Sequence, residues 1–363
     1  MKRILIMANN DVGLYKFRKE LILELLKDNE VYISLPYGEL VKSLVDMGCR
    51  FIDTPVDRRG INPITDLRLL NSYRKIFNQI KPDQVITYTI KPNIYAGMVA
   101  RFKHVEYAVN ITGLGTTFQN ENILKKLIIK MYKMALKKVK VVFFENVENR
   151  DIFVNEKITS KDKTCLLNGA GVNLEEYPFC KYPEDKEKIR FLFIGRIMKE
   201  KGIDELLDAA KRIKQEYKSV EFDIVGPMED DYKNVINEYV NSDIINYYGF
   251  QSDVKPYINK CHCFILPSYH EGMANTLLEA ASMGRPLITT NIHGCKEAVD
   301  SNGYLVKVKD ADDLYMKFKE FIELGYEDQV IMAENSRLRM EREFDKTKVV
   351  QETIRKIASD WRE

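Results

Sequence analysis

Short apolar runs alternate with longer stretches of helical pattern along the whole chain. Seven runs in the first half predict β-strands, namely Ile4–Ala8, Val31–Leu35, Phe51–Ile52, Gln84–Tyr88, Tyr107–Ile111, Val139–Phe144 and Thr164–Leu167. Six runs in the second half do the same, namely Ile189–Ile194, Glu221–Val225, Ile244–Tyr247, Cys263–Leu266, Leu287–Thr290 and Tyr304–Val306. Because helical patterns of about ten residues or more separate most of these runs, the sequence predicts parallel sheets built from β-α-β units.

A new strand–turn–helix pattern begins at Ile189–Gly195 and indicates a second domain, since 363 residues are enough for about two. The preceding segment, 177–188, is polar and holds two prolines, which is typical of a linker. The sequence therefore predicts an α/β fold of two doubly wound, Rossmann-like domains that face each other across a cleft. We place the domains and their connections at 1–176 (amino-terminal domain), 177–188 (linker), 189–344 (carboxyl-terminal domain) and 345–363 (final helix).

The composition is that of an ordinary globular protein, with 45% hydrophobic and 30% charged residues, and it excludes disordered, collagen-like and disulfide-scaffold classes. No uninterrupted apolar run reaches about 18 residues, so no transmembrane helix is predicted. Polar Asn9 and Asn10 follow the first apolar run closely, which favours a strand over a signal peptide. The six cysteines lack disulfide-like spacing and fit a reducing cytoplasm.

The charges are distributed unevenly. Residues 1–180 hold 28 Lys and Arg against 20 Asp and Glu (+8), whereas 181–363 hold 28 against 34 (−6). Within the basic half, the segment 121–140 has seven lysines and one acid, Glu121. Its apolar residues can align on one side, namely Ile123, Leu127, Met131, Met134 and Leu136. This segment is either an interfacial helix on anionic lipid, which we favour, or an amphipathic helix with merely solvated lysines. No nucleic-acid-reading motif accompanies the lysines, so nucleic acid is not a predicted partner.

Common cofactor motifs are missing from the sequence. Neither Asn9–Gly13 nor Gly195–Gly202 has the glycine spacing of a dinucleotide-binding loop, which disfavours a nicotinamide or flavin enzyme. A P-loop is also missing. Cys261-His262-Cys263 suggests either a metal ligand set or a buried strand, and we favour the strand because no further Cys or His follows at ligand spacing.

Three segments of the second half carry candidate chemistry. Arg196 and Lys201 flank a turn after a strand, where two cations can grip a diphosphate. The alternative is that both are solvated surface charges, as most Arg and Lys residues are. The segment 268–280 opens a helix, and its Gly272 lets backbone approach a ligand closely. Free N–H groups that attract phosphate are expected there, at Met273, Ala274, Asn275 and Thr276.

Two carboxylates belong to the same segment. Glu279 lies about one turn into the helix, where it can accept both hydroxyls of a ribose, and its apolar neighbours mean that it requires a partner. Glu271 precedes the helix and points beyond the phosphates. In the third segment, Phe250 and Gln251 can wall a planar base, with a glycine turn and a core Phe as the alternative.

On these residues the chain resembles the retaining glycosyltransferases of family 4, which have the GT-B fold. The resemblance rests on Gly195-Arg196 with Lys201-Gly202, Pro267-Ser268 with Glu271 and Glu279 at E-x7-E spacing, 168–173 and 284–286. It implies that Arg196 and Lys201 stabilise the leaving diphosphate, that Glu279 binds the ribose and that Glu271 binds the transferred sugar. It also implies that no metal or cofactor is needed.

Further roles follow from the same resemblance. Gly13 would let the first domain close on the phosphates, Gly195 and Gly272 would admit the donor, and backbone at Phe250-Gln251 would receive the base. The final helix would cross back onto the first domain. The sugar would be transferred by front-face attack with retained anomeric configuration.

The first half resembles one subgroup, which adds N-acetylhexosamines or related sugars to lipid-linked saccharides, through 13–18, 59–63 and 112–118. Thr112 stands where many members have His, so we assign it positioning only and leave the general base open. The implied partners are a UDP-sugar, a lipid-linked saccharide and the inner face of the cell membrane. We further hypothesise that Arg18 and Lys91 contact the acceptor phosphate. A sugar-nucleotide epimerase or hydrolase and a non-catalytic sugar-nucleotide-binding protein are the alternatives.

Overall fold

The computed structural model describes residues 1–57, 62–114, 118, 123–185, 188–228 and 232–358. These residues form two compact units. Unit 1 contains Met1–Ala170 together with the carboxyl-terminal segment from Thr347, and unit 2 contains Gly171–Lys346.

Unit 1 is built on a seven-stranded parallel sheet with the strand order β3-β2-β1-β4-β5-β6-β7. Its strands are β1 Arg3–Met7, β2 Glu30–Leu35, β3 Arg50–Asp53, β4 Gln84–Tyr88, β5 Glu106–Ile111, β6 Val141–Phe144 and β7 Thr164–Leu166. Its helices are α1 Asp11–Leu26, α2 Val41–Asp46, α3 Pro63–Ile80, α4 Ile90–Lys103, α5 Ile123–Leu136, α6 Val147–Asn155 and α13 Lys346–Ala358.

The helices of unit 1 cover both faces of its sheet. One hydrophobic cluster joins α1, α2 and α13 to the strands, and a second joins α3, α4, α5 and α6. The last helix, α13, is also held by the side chain of Gln84, which donates a hydrogen bond to the carbonyl of Ile357 at 2.8 Å. This arrangement places the amino-terminal ends of α1 and α4 at the carboxyl edge of the sheet.

Unit 2 is built on a six-stranded parallel sheet with the order β10-β9-β8-β11-β12-β13. Its strands are β8 Arg190–Ile194, β9 Glu221–Val225, β10 Asn246–Tyr247, β11 Cys263–Leu266, β12 Leu287–Thr290 and β13 Gly303–Val306. Its helices are α7 Ile203–Glu216, α8 Lys233–Asn241, α9 Lys255–Lys260, α10 Asn275–Ser282, α11 Ala311–Glu323 and α12 Tyr326–Arg339, followed by a π-helix over Met340–Phe344.

The predicted fold class is confirmed, because both sheets are parallel and each has the Rossmann-like order in which the first strand lies beside the fourth. All thirteen predicted strands are present. Strands β6 and β10 each begin two residues later than predicted. At β10 the cause is that the amide of Ile244 still bonds to the carbonyl of Tyr239 in the preceding turn.

The segment 177–185, for which the prolines suggest a linker, lies within unit 2. Tyr182 is buried and its hydroxyl donates to the side chain of Gln329 at 3.1 Å. The fully buried guanidinium of Arg285 donates to the carbonyls of Cys180 and Lys181. These contacts attach the segment to unit 2.

In the part of the chain that the structure describes, no helix combines the length and apolar character needed to cross a bilayer.

Candidate functional site

The second sheet reverses its winding direction between β8 and β11, which are hydrogen-bonded neighbours with Phe193 opposite Ile265. Connections leave these two strands to opposite sides, so a crevice forms at their carboxyl ends, where open α/β sheets bind ligands. The loop after β8 carries Gly195 and Arg196, and the loop after β11 carries Ser268 and Glu271. The topology therefore brings the predicted site segments to one sheet edge.

The loop after β8 is crowded at Gly195. A side chain at neighbouring Gly226 would place its Cβ 1.8 Å from the carbonyl oxygen of Gly195, and the amide of Ile197 bonds to the carbonyl of Pro227 at 2.8 Å. Arg196 is exposed between buried Ile194 and Ile197. The backbone on either side of Arg196 is therefore tightly packed, while its guanidinium lies at the surface of this sheet edge.

Gly202 brings the two loops into contact. It has a φ of +70° at the start of α7, and a Cβ there would lie 2.1 Å from the carbonyl oxygen of Pro267. Only glycine fits both this backbone conformation and this close approach. As a result, Lys201, at the end of the short 3-10 turn Lys199–Lys201, faces the loop after β11.

Lys201 and Glu271, which the resemblance assigns to the diphosphate and to the sugar, form an ion pair in which the ammonium donates to Oε1 of the carboxylate. Their side chains are only 18% and 14% exposed, respectively. Ser268 donates a second hydrogen bond to the same oxygen at 2.8 Å. Ser268 belongs to the motif that carries the resemblance, but the sequence assigned it no role, because the partner of its hydroxyl is known only from the fold.

Helix α10 begins at Asn275 and has no side-chain cap, so its first N–H groups lack helical partners. The prediction for Ala274 is wrong in one respect, because its N–H already donates to the carbonyl of Gly294 at 2.8 Å. Gly294 can approach so closely because it has a φ of +90° and lacks a Cβ. Ala274 and Met273 precede the helix, which leaves Asn275 and Thr276 in its first turn.

Glu279 has the partner that its apolar surroundings require. It hydrogen-bonds to the hydroxyl of Tyr177, and burial together with the nearby Glu279 carboxylate raises the pKa of this tyrosine. Tyr177 is fixed in turn, since Ser282 donates to its carbonyl at 2.6 Å. Sequence reasoning assigned Tyr177 to a linker, and no local signal separates it from other tyrosines.

The turn at Tyr248–Gln251 follows β10 at the same edge. Gly249 has a φ of +64°, and its carbonyl accepts the amide of Gly226 at 2.8 Å. Gln251 donates from its side chain to the carbonyl of Tyr248 at 2.7 Å. Phe250 is 68% exposed, so the alternative of a core phenylalanine is wrong and its ring is open to a planar ligand.

At the corresponding edge of unit 1, Arg18 pairs with Glu145 at 2.6 Å, and each side chain is 11% exposed. The guanidinium also lies 5.1 Å from the ring centre of Tyr88. Burial raises the pKa of Glu145, and Arg18 partly offsets this effect. The predicted acceptor cation therefore has a buried counter-charge, which sequence reasoning missed because Glu145 lies 127 residues away.

Lys91 is paired as well, with Asp66 of α3 at 2.7 Å. Burial and a hydrogen bond to the same Asp66 raise the pKa of Tyr95. Thr112 directly follows β5 and is half-buried, and Gly13 donates its amide to the side chain of Asn10 at 2.6 Å in the first turn of α1. The segments 58–61, 115–117 and 119–122, which belong to or adjoin the predicted first-half motifs and basic segment, lie outside the described residues.

Helix α5 contains most of the predicted basic segment. Its exposed surface combines apolar residues and lysines, namely Ile123, Lys126, Leu127, Lys130, Lys133 and Met134. The opposite side packs on the core through Ile129, Tyr132 and Leu136. The prediction that Leu136 shares one apolar side with Ile123 and Leu127 is wrong, because Leu136 is buried with Ala135 at the end of the helix whereas the other two are exposed beside lysines.

The interpretation of Cys261-His262-Cys263 as buried structure agrees with the contacts of His262. Its Nδ1 accepts the amide of Arg190 at 3.1 Å, and its Nε2 lies 3.0 Å from the carbonyl of Asp185. Burial lowers the pKa of the imidazole. Across the described residues, no group of three or more His, Cys, Asp or Glu is arranged to hold a metal ion.

Two Rossmann-like units, one with a lysine–carboxylate pair at its switch point, place the chain in the GT-B class. A glycosyltransferase from Rickettsia africae has a TM-score of 0.82 at 19% identity over 99% of each chain. Anabaena Alr3699/HepE, solved with UDP and glucose, has a TM-score of 0.81 at 14% identity over 99% of this chain and 100% of HepE. These likenesses establish the fold.

Family models of glycosyltransferases match each of the two units. The model of "Glycosyl transferases group 1" matches 178–339, and that of "Glycosyl transferase 4-like" matches 3–146. Together the two models cover most of both units.

Two curated relatives carry specific names. The N,N'-diacetylbacillosaminyl-diphospho-undecaprenol alpha-1,3-N-acetylgalactosaminyltransferase of Campylobacter jejuni is 27% identical over 88% of this chain and 89% of that protein. The UDP-Gal:alpha-D-GlcNAc-diphosphoundecaprenol alpha-1,3-galactosyltransferase of Escherichia coli is 28% identical over 80% and 79%. With the family models, these relatives favour a glycosyltransferase over the epimerase, hydrolase and non-catalytic alternatives.

Proposed function

We propose that the protein transfers an N-acetylhexosamine from a UDP-sugar to a lipid-linked saccharide in the assembly of a surface polysaccharide or glycan. The observation that carries this proposal is the pairing of Lys201 with Glu271 at the switch point of unit 2, beside uncapped helix α10. The names of the Campylobacter and Escherichia relatives, whose acceptors are diphospho-undecaprenol-linked sugars, support the acceptor class.

In the proposed reaction, the diphosphate of the donor binds between the cations of Arg196 and Lys201 and the amino-terminal end of α10. The bond between the sugar C1 and the β-phosphate oxygen breaks, and the acceptor hydroxyl oxygen bonds to C1 on the same face. The hydroxyl proton passes to the departing phosphate oxygen. Fixed positive charge stabilises the nucleoside diphosphate that leaves, so no metal is required.

The remaining donor groups have separate roles in this proposal. Glu271 binds hydroxyls of the transferred sugar, and Glu279, held by Tyr177, binds the ribose. The exposed ring of Phe250 lies against the base, with Gln251 beside it. Arg18, Lys91 and Thr112 belong to the acceptor site in unit 1.

We also propose that α5 attaches the protein peripherally to the cytoplasmic face of the membrane, where a lipid-linked acceptor resides. Support comes from the exposed side of the helix, where Ile123 is 88% and Leu127 50% exposed beside Lys126, Lys130 and Lys133. Apolar side chains can enter the lipid boundary while lysines meet anionic headgroups, each adding about 1 kcal/mol.

The test of the function is a transfer assay with UDP-N-acetylgalactosamine and a prenyl-diphosphate-linked monosaccharide. We expect a product heavier by one N-acetylhexosamine, with the α-configuration of the donor visible by NMR. A parallel reaction with UDP-glucose, UDP-galactose and GDP-mannose defines donor choice. Conversion or hydrolysis of the sugar nucleotide at the same rate without acceptor would instead identify an epimerase or hydrolase.

A further inference from the structure

Ser268 is fully buried directly after β11, yet its hydroxyl reaches a side chain of the candidate site. It donates to Oε1 of Glu271 at 2.8 Å. Lys201 donates to that same oxygen. In the described part of the chain, Oε2 of Glu271 has no donor, so the two oxygens of this carboxylate have different environments.

The backbone of Ser268 is itself fixed. Its carbonyl accepts a hydrogen bond from the hydroxyl of Thr290 at 2.5 Å. Two residues earlier, the carbonyl of Leu266 accepts one from the hydroxyl of Thr289 at 2.6 Å. Both threonines are fully or almost fully buried at the end of β12. The hydroxyl of Ser268 is therefore presented from a rigid part of the sheet, not from a mobile loop.

Lys201 is a less constant partner for Glu271. In the proposed function its ammonium serves the donor diphosphate, and a flexible lysine side chain redistributes its hydrogen bonds when a doubly charged group arrives. The serine side chain is neutral, short and buried, so its hydrogen bond to the carboxylate should persist when the donor binds. Ser268 is then the remaining protein group that keeps Oε1 in place.

We propose that Ser268 is a positioning residue that holds Glu271 with one oxygen fixed and the other available to the hydroxyls of the transferred sugar. This role rests on the proposed function of the site. It differs from that of Lys201, because Ser268 serves only the sugar part of the donor, whereas Lys201 serves the diphosphate.

The experiment compares the dissociation constants of UDP and UDP-N-acetylgalactosamine by calorimetry for the wild type and Ser268→Ala. We expect the UDP constant to stay within about twofold, while the UDP-N-acetylgalactosamine constant rises about tenfold, the usual effect of losing a hydrogen bond to a charged group. The turnover number falls with it. Equal weakening of both ligands, or of neither, overturns the role.

Ser336→Ala is the matched control. Ser336 is also fully buried in unit 2 and donates to a carbonyl, that of Arg285 at 2.8 Å, in an unrelated contact. It should lower the melting temperature without changing the ratio of the two dissociation constants. If it changes that ratio as much as Ser268→Ala does, the effect is structural and the positioning role is wrong.

A double-mutant cycle tests whether Ser268 acts through Glu271. In a Glu271→Ala background, Ser268→Ala should have no further effect on the ratio, and an unchanged effect contradicts the proposal. If Ser268→Ala does not fold, Thr290→Val replaces it, with a smaller change expected in the same direction. If the wild type binds neither UDP nor UDP-N-acetylgalactosamine, the proposed function is wrong and this role with it. If the wild type binds both, the Ser268→Ala result tests the positioning role alone.

Discussion

Lys201 donates to the carboxylate of Glu271, which lies 70 residues later in the chain, at the point where the second sheet reverses its winding. Each is the other's partner in the structure, although the proposed reaction assigns one to the diphosphate and the other to the sugar. Removing each side chain alone should therefore affect a different step, with diphosphate binding depending on Lys201 and sugar transfer on Glu271.

Lys201→Ala should weaken UDP binding about tenfold or more, because a charge-assisted contact to the diphosphate is lost. Glu271→Ala should leave UDP binding nearly unchanged and lower the turnover number about a hundredfold. Calorimetry with UDP and initial rates measure the two effects. Lys199→Ala is the control, since Lys199 is exposed on the same short turn. Full activity of Glu271→Ala would remove its assigned role.

Tyr177→Phe should weaken UDP binding about tenfold, because the hydroxyl that orients Glu279 is removed while the ring remains. The loss should vanish with 2′,3′-dideoxy-UDP, which lacks the hydroxyls that Glu279 is proposed to bind. Tyr182→Phe removes another buried hydroxyl and should change stability only. A loss that persists with the dideoxy ligand would contradict the ribose contact.

The contrast between Tyr177 and Glu279 shows where sequence reasoning ends. The apolar neighbours of Glu279 predict that it has a partner, because a carboxylate in such surroundings is costly. Which residue supplies the partner depends on packing between distant segments. The same holds for Ser268, whose hydroxyl has no sequence signature, and for Glu145 opposite Arg18.

Sequence reasoning succeeded where the cause is local. Apolar runs locate the strands, since parallel strands are buried on both faces, and thirteen of them were found in this way. Phe250 shows the opposite case, because periodicity does not report whether an aromatic residue beside a glycine turn faces the core or the solvent. Its exposure follows from the turn at Gly249, whose carbonyl is held by Gly226.

Arg18→Met should make stability depend on pH through Glu145. Burial raises the pKa of Glu145 in the folded protein, so folding takes up a proton there and is favoured as pH falls. Arg18 lowers the pKa of Glu145, so its removal raises that pKa further and makes the stability depend more strongly on pH. Urea unfolding should show a loss of about 3 kcal/mol at pH 8 that shrinks towards pH 5. An equal loss at both pH values would contradict this account.

The same pair allows stability and acceptor binding to be separated. In Arg18→Met with Glu145→Leu, the unpaired buried carboxylate is removed, so the stability should recover. The acceptor KM should stay raised if Arg18 contacts the acceptor phosphate, while the donor KM stays unchanged. Recovery of the acceptor KM in the double variant would make the role of Arg18 structural.

Replacing Lys126, Lys130 and Lys133 of α5 with Ala should weaken binding to vesicles that contain anionic phospholipid. At about 1 kcal/mol for each lysine, the partition coefficient should fall about a hundredfold at low salt. Co-sedimentation with and without phosphatidylglycerol measures it. Replacement of three exposed lysines elsewhere in unit 1, at 42, 157 and 161, is the charge-matched control. Equal loss in both variants would show that net charge, and not α5, attracts the protein.

Gly171→Ala should destabilise unit 2 at the point where the chain enters it. Gly171 has a φ of +68°, and a Cβ there would lie 2.7 Å from Cα of Lys346, whose amide bonds to the carbonyl of Val172 at 3.0 Å. Backbone strain costs about 1–3 kcal/mol, and the clash adds to it because backbone atoms must move.

Gly249→Ala separates the two contributions to this loss. Gly249 has a similar φ of +64°, but a Cβ there meets nothing within 4 Å, so only the conformational cost remains. Urea unfolding should therefore show a clearly larger loss for Gly171→Ala than for Gly249→Ala. Equal losses would mean that the strand-like pairing of Val172 with Asp345 adapts to the added methyl group. The contact between Gly171 and Lys346 would then be less tightly packed than the distances indicate.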